Sequence, residues 1–360
     1  MRWVNLAVAR QVSHWPPVER LSPRNPCFGA GERSVAIIWH LVHELAENEF
    51  MPLGFVERKL PDFVIIGAAK SASTWLHLAL RQHPAIYMPE SETPFFEDAY
   101  YDEKDLSGLY KATDSAPSDA KVGIKCPNYL CTPECAPRLA RHLPNARLIA
   151  ILRNPVDRAL SQYYHDIRTG RLPLAPADVA FSRYLRGEFD PPYAKRLILE
   201  FGLYAQGISN HLRVFPSEQL LVITDLELRK DLRGVFERAC RFVGVADDFV
   251  PANIAMPRNQ GAYFSPFLWL TMSLNRRGIT FDAQTGLEHP RRDFVSWGAR
   301  RLAVLTSRMS AATRLFVRDQ EPTVSFKTRS GLLEYYLPDI LKLQELTQID
   351  LSPWKTLRQA

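Results

Sequence analysis

Two cationic side chains stand where phosphate chemistry would place them. In Gly67-Ala68-Ala69-Lys70-Ser71-Ala72-Ser73-Thr74-Trp75, a lysine sits among hydroxyl residues, between the apolar run Phe63-Val64-Ile65-Ile66 and a segment with helical spacing. A loop joining a strand to a helix offers an anion its backbone amides and the helix N-terminus. Lys70 adds a full charge, and Ser71, Ser73 and Thr74 add hydroxyl donors. The second cation, Arg153, ends the apolar run Arg147–Leu152 and precedes Asn154-Pro155, with Ser161 further along. A strand-end arginine is a forked, permanently charged donor for phosphate oxygens. Asn can cap a helix and Pro suits its first turn, so a helix starting there lets Ser161 face the same pocket. The first loop is not a Walker A motif, which needs a glycine directly before the lysine; Gly67 is the only glycine here.

These residues need a scaffold that brings strand ends together. From residue 62 the chain alternates short apolar runs with helical patterns. Strands are expected at Phe63–Ile66, Val122–Lys125, Arg147–Leu152 and Leu220–Thr224. Helices are expected over about 73–82, 134–142, from 155, 204–214, 231–242 and Leu332–Leu346. Such alternation implies an α/β fold of three layers, a P-loop-like parallel sheet of about four or five strands covered by helices on both faces. In such sheets ligands bind outside the carboxyl ends of the strands, where both motifs lie.

The flanks differ. Residues 1–60 are expected to be an N-terminal extension to a single domain over 61–360. Residues 262–327 break the alternation and hold ten Lys/Arg against five Asp/Glu. Leu302, Leu305, Met309, Ala312 and Phe316 recur there at steps of three and four, the spacing of an amphipathic helix. A basic, helical, acceptor-facing cap is expected from that stretch.

The chain has 360 residues, is 46% hydrophobic and carries a formal net charge of +6. It is long enough for a large core, and its charge suits an anionic ligand without naming one. Five cysteines are no disulfide framework. Cys126, Cys131 and Cys135 lack the paired spacing of a zinc site, so no metal is expected. No apolar run is long enough to span a bilayer, and no leader pattern is visible; a cytoplasmic enzyme is the expectation.

The motifs resemble those of the sulfotransferases that use 3′-phosphoadenylyl sulfate (PAPS) and release adenosine 3′,5′-bisphosphate (PAP). Ala69–Trp75 is similar to that family's 5′-phosphosulfate loop, P-K-S-G-T-T-W, with Lys70 on its essential lysine. Arg153, Asn154, Pro155 and Ser161 match its 3′-phosphate element, R-[DN]-P-x5-S. Two departures are Ala69 for the usual Pro or Arg and Ala72 for a usual Gly, so the turn at 72 is expected to avoid positive φ. The resemblance implies that Ser71, Ala72, Ser73 and Thr74 hold the 5′-phosphosulfate, that Trp75 stacks on adenine, and that Tyr204 belongs to the nucleotide pocket. It also places Arg258 of Pro257-Arg258-Asn259-Gln260-Gly261 near the 3′-phosphate, although Gln260 replaces a usual lysine.

The acceptor side resembles the carbohydrate branch, which includes heparan sulfate sulfotransferases, and the bacterial branch. Glu92-Thr93-Pro94-Phe95-Phe96 is similar to the element carrying that branch's general base. Ile124-Lys125-Cys126-Pro127-Asn128-Tyr129 is similar to an element with an accessory lysine. The implied roles are Glu92 as base, Lys125 as accessory cation and Lys70 as stabiliser of the leaving phosphate oxygen. A small-molecule or saccharide acceptor is implied, with no nucleic acid, and the oligomeric state is open. Two rivals are a P-loop kinase or NTPase, which would need an Asp for Mg²⁺ where Arg153 stands, and a non-catalytic binding module on the same scaffold.

Overall fold

The computed structural model describes residues 59–252, 254–255, 268–282, 288–313 and 324–356. Residues Lys59–Ala360 form one compact unit; the expected extension before it, and Arg258, lie outside the described residues.

Five strands make one parallel sheet: β1 (Phe63–Gly67), β2 (Ile86–Tyr87), β3 (Lys121–Lys125), β4 (Arg147–Leu152) and β5 (Leu220–Thr224), in the order β2-β3-β1-β4-β5. Four were legible as apolar runs. The fifth, β2, has two residues, too few to show a period. Helices α1 (Ser73–Leu80), α2 (Ser107–Thr113), α3 (Cys135–His142), α4 (Pro155–Thr169), α5 (Ala177–Leu185), α6 (Tyr204–Leu212), α7 (Asp225–Lys230) and α8 (Leu232–Val243) fill the crossovers and flanks. Beyond them come α9 (Leu268–Gly278), a hairpin of β6 (Ile279–Phe281) and β7 (Glu288–Pro290), α10 (Phe294–Thr313) and α11 (Phe326–Thr347).

Period-two alternation explains the layers. On β1, Val64 and Ile66 enter one buried cluster, with Leu148, Ala150 and Leu152 of β4. Phe63 and Ile65 enter the other, with Ile149 and Ile151. Both faces are therefore apolar, which only a sheet covered on two sides can satisfy. α1 and α8 cover one face through Leu76, Leu80, Phe236 and Ala239. α4, α6 and α11 cover the other through Ala159, Ile208 and Tyr336.

The chain leaves β1 toward β3 on one side and later crosses to β4 on the other. Order reverses beside β1, so the ends of β1, β3 and β4 open a crevice. Sequence cues fix what leaves each strand. Asn154 accepts a hydrogen bond from the Val156 amide at 3.0 Å, with Pro155 starting α4. Thr224 and Glu227 form a capping box at the head of α7. The chain's tail closes the rear of the crevice: Trp354 is buried and its indole donates to Asp225 Oδ1 at 2.9 Å.

Stretch 262–327 carries the expected helix, with its apolar face outward. Leu302, Leu305 and Met309 of α10 are exposed, while Ser296, Ala299, Ala303 and Thr306 are buried. Periodicity identified the helix but not which of its faces packs. Ala312 and Phe316 belong to side chains outside the described set.

One tight contact tests the sheet. A Cβ on Gly123 of β3 would lie 2.2 Å from the Phe63 ring of β1, which is completely buried. Gly123→Ala should therefore destabilise the domain by about 1–3 kcal/mol, the usual cost of overpacking, read from the denaturant midpoint. A neutral result would mean that the ring has room to move.

Candidate active site

A cavity of about 1550 Å³ opens at the carboxyl ends of the strands. Residues Ala69–Trp75 following β1, Pro127 and Asn128 following β3, and Arg153 and Asn154 following β4 line it, as do Glu92, Ser161 and Asp225. Motifs about 80 residues apart in sequence thus meet in one cleft.

The loop after β1 is conformationally demanding. Lys70 has φ 66° and Ala72 has φ 72°, both left-handed. Ala72 therefore takes the positive φ that its replacement of glycine was expected to forbid. Such left-handed residues shape backbone into concave amide nests that bind anions. At Ala72 the conformation costs about 1–2 kcal/mol that glycine would not incur. Ala72 also precedes α1, and no side chain caps that helix. Its first amides are those of Ser73 and Thr74, which reach toward the cleft.

Lys70 is held among cations. Burial, then Arg168, Arg153 and Arg158, push its pKa down from 10.5 to about 8, with Asp166 opposing. Arg153 itself donates toward the Lys70 carbonyl at 3.4 Å. Asp166 is buried, accepting from Gln162 at 2.9 Å and Arg171 at 2.6 Å. Burial raises its pKa against the pull of Arg171. His165 is driven to about 2 by burial beside Lys70, Arg168 and Arg171, so it is a neutral ring and a poor proton acceptor.

The opposite side carries a charged pair. Lys125, the last residue of β3, is buried; its ammonium lies 2.9 Å from Glu92 Oε1 and donates to Thr74 Oγ1 at 3.1 Å. Glu92 is half exposed and faces the cavity. Lys125 thus ties a carboxylate to the loop that carries Lys70. Of the neighbouring acids, Glu97 accepts from Cys126 Sγ at 3.0 Å and Asp98 pairs with Arg138 at 2.7 Å. Glu92 has neither of those anchors.

The structure brings together Lys70, Ser71, Ala72, Ser73, Thr74, Trp75, Glu92, Arg153 and Ser161 on the cavity wall. Trp75 lines the cavity but is only 4% exposed, and its indole donates to Ile254 O at 3.0 Å. Tyr204 does not line the cavity. It is buried in the core, 6.4 Å from the Trp354 ring. It starts α6 with its ring inward, a direction that no motif reveals. Of the described residues in 262–327, Glu288 alone lines the cleft, paired with Arg171 at 2.8 Å. Two arginines of that stretch bond backbone carbonyls: Arg276 donates to Gly170 O and Arg300 to Gly278 O, both at 2.9 Å.

Sequence reasoning missed Gln162, Arg168 and Arg171. For Arg168 the signal was available: Ser161, His165 and Arg168 recur at steps of four and three on α4, one face of that helix, whereas Gln162 is one residue off that face and Arg171 lies past the helix end. The three cysteines make ordinary contacts. Cys131 Sγ approaches Phe201 O and Cys135 Sγ approaches Phe96 O, and no metal-holding cluster exists among the described residues. No helix among them is long and apolar enough to cross a membrane.

A Sulfotransferase domain family model matches residues 60–253. The chain belongs to that family. Mouse (Mus musculus) heparan sulfate glucosamine 3-O-sulfotransferase 6 is 32% identical over 190 residues, covering 52% of this chain and 53% of the relative. The bifunctional heparan sulfate N-deacetylase/N-sulfotransferase 4 of Mus musculus is 32% identical over 204 residues, 53% of this chain and 23% of its own. The chain spans about half or less of the length of these curated relatives. A solved sulfotransferase from Alicyclobacillus acidocaldarius is 25% identical, with a TM-score of 0.56, covering 83% of this chain and all of that one. Fold and motif order thus agree with membership of the sulfotransferases, and the chain is similar to heparan sulfate enzymes and to a bacterial sulfotransferase.

Because the left-handed turn at 72 is occupied by alanine, Ala72→Gly should stabilise the protein by about 0.5–1 kcal/mol, despite glycine's greater freedom when unfolded. The denaturant midpoint should rise. A fall, as an Ala→Gly change gives elsewhere, would show that the turn is not left-handed.

Proposed function

We propose that the chain transfers a sulfuryl group from PAPS to a hydroxyl of an acceptor that bears a saccharide, whether carbohydrate, glycolipid or glycosylated metabolite. One observation carries this: the Lys70 loop, the Arg153 and Ser161 pair and Glu92 line the same cavity. A nucleotide with phosphates on both the 5′ and 3′ positions is the ligand that uses both cationic ends. The heparan sulfate relatives lend weight to a sugar acceptor.

In the proposed reaction the acceptor oxygen attacks sulfur as the bond from sulfur to the 5′-phosphate oxygen breaks. Attacking and leaving oxygens lie roughly in line, and charge grows on the leaving phosphate. Lys70 donates to that oxygen. A lysine with its pKa near 8 is still largely protonated at neutral pH and sheds little water on binding. Arg153 and Ser161 hold the 3′-phosphate, and the amides of 71–74 hold the sulfated 5′-phosphate.

Glu92 takes the acceptor proton. Its partner Lys125 orients it and, through Thr74, fixes it against the donor loop. Arg171, Arg196 and Arg329 also line the cleft, and they suit an acidic or hydroxyl-rich acceptor. A kinase reading lacks an acid at the end of β4, where Arg153 stands. A mere binding module would have no use for the Glu92 and Lys125 pair.

Two measurements check the assignment. Arg153→Ala should weaken PAP by about ten- to hundredfold while barely changing adenosine 5′-phosphosulfate, since a charge-assisted contact is worth about 1.5–3 kcal/mol. Equal losses would remove Arg153 from the 3′-phosphate. Glu92→Gln should lower kcat by about 10²–10⁴-fold and leave the KM for PAPS unchanged. Normal kcat there, with collapse in Glu90→Gln, Glu97→Gln or Asp98→Asn, would move the base.

A further inference from the structure

Helix α10 is built inside out. Its packed side is small and polar: Ser296, Ala299, Ala303 and Thr306 are buried against α9. Thr271 Oγ1 donates to Thr306 Oγ1 at 2.7 Å, and Ser296 Oγ donates to Arg277 O at 3.0 Å. A Cβ on Gly278 would meet Ser296 O at 3.2 Å, so the backbones are close. The outer side carries the bulk. Phe294 is 82% exposed, Val304 54%, Leu305 53%, Leu302 51% and Trp297 49%, and Trp269 of α9 is 65% exposed.

At about 100° per residue, those five residues of α10 span one continuous half of the helix. A helix packed in water has the opposite arrangement. Single exposed apolar residues are ordinary, but a contiguous face of this kind marks a surface that meets something apolar. Small residues between two helices, with large ones outside, are how helices associate in lipid.

Charge selects the occupant. Neither α9 nor α10 contains an Asp or Glu, whereas Arg276, Arg277, Arg300, Arg301 and Arg308 lie on them. Arg291 and Arg292, just before α10, are exposed. The Arg301 guanidinium lies 5.3 Å from the Trp297 ring centre, within the apolar face. Arginine beside tryptophan and leucine is the composition of a helix lying at a lipid–water boundary, where its cations meet anionic headgroups. A second copy of the same face would set arginine against arginine, which disfavours self-pairing. Neither helix is long and apolar enough to cross.

We propose that the α9–α10 hairpin is a docking surface for a bilayer containing anionic phospholipid, lying in its interfacial plane rather than spanning it. The face is separate from the cleft wall, so docking does not depend on the proposed activity. The hairpin between the two helices nonetheless reaches the cleft through Glu288, which pairs with Arg171.

The test uses the full chain, sedimented with vesicles of phosphatidylcholine alone or of phosphatidylcholine with phosphatidylglycerol. Binding is expected only to the second, weakening with salt. The double variants Trp297→Glu with Leu305→Glu, and Arg277→Gln with Arg301→Gln, should each lose about tenfold or more in vesicle affinity. PAP affinity and melting temperature, read on the same samples, should stay unchanged. Absence of vesicle binding by the parent chain, or full binding by both variants, overturns the proposal. So does a dimer that the first variant splits without any vesicle binding, which would give the face to a second copy. A large drop in melting temperature in the first variant, with no vesicle binding by the parent, would give it to other residues of this chain. Loss of PAP binding with vesicle binding intact would count against the enzymatic assignment alone.

Discussion

Everything in the cleft depends on holding Lys70 beside Arg153, Arg158 and Arg168, with Asp166 as the opposing charge among them. Burial penalises the charged form, and the neighbouring arginines add repulsion, so the Lys70 pKa falls to about 8. Lysine in the unfolded chain titrates near 10.5, so the native protein gives up this proton first. Protonated Lys70 therefore works against folding below about pH 8, and stability recovers as pH rises from about 8 to 10.5. A multiply charged anion bound at the Lys70 loop would offset that repulsion.

The rest of the scaffold resists that repulsion. β1, β3 and β4 are fixed by apolar contacts on both sheet faces, so their ends cannot spread. Asp166 supplies one buried counter-charge and is itself clamped by Gln162 and Arg171. Arg158, completely buried, donates to the carbonyls of Leu197 and Ile198, and its charge adds the smallest share of the repulsion at Lys70. The tail residue Trp354 closes the rear by bonding Asp225. Rigidity of this kind is what lets a charged site act on a transition state without rearranging.

Much of this was legible in the sequence, and what was not has physical reasons. Strands β1, β3, β4 and β5 were visible because a sheet buried on both faces writes continuous apolar runs. Arg153 was visible because it follows such a run directly, and Lys70 because it lies three residues past the end of β1. The positive φ at Ala72 was hidden, since an alanine ordinarily argues against it, and the cost is borne by the surrounding loop. Tyr204 is buried behind the cavity wall, beside Ser71 and the Arg153 backbone, a position that a sequence does not show because it does not fix which way a helix's first side chain turns. Which face of α10 packs was hidden for a related reason: a period of 3.6 marks two sides, and only a neighbour decides which is inside. The link from Lys125 to Thr74 joins β3 to the β1 loop, a contact between strands that only the sheet order brings together.

The most direct test of the central claim is a calorimetric titration of PAP into the full chain, without divalent metal, between pH 7 and pH 9.5, beside Lys70→Met. If Lys70 is the depressed cation that meets the 5′-phosphate, PAP binds without metal, its affinity is level up to about pH 8 and then falls as the free lysine loses its proton. Lys70→Met should bind more weakly and show no such fall, and ATP should not bind under these conditions. Affinity that needs Mg²⁺, or the same pH profile in both proteins, would contradict the assignment of Lys70 and of the cleft built around it.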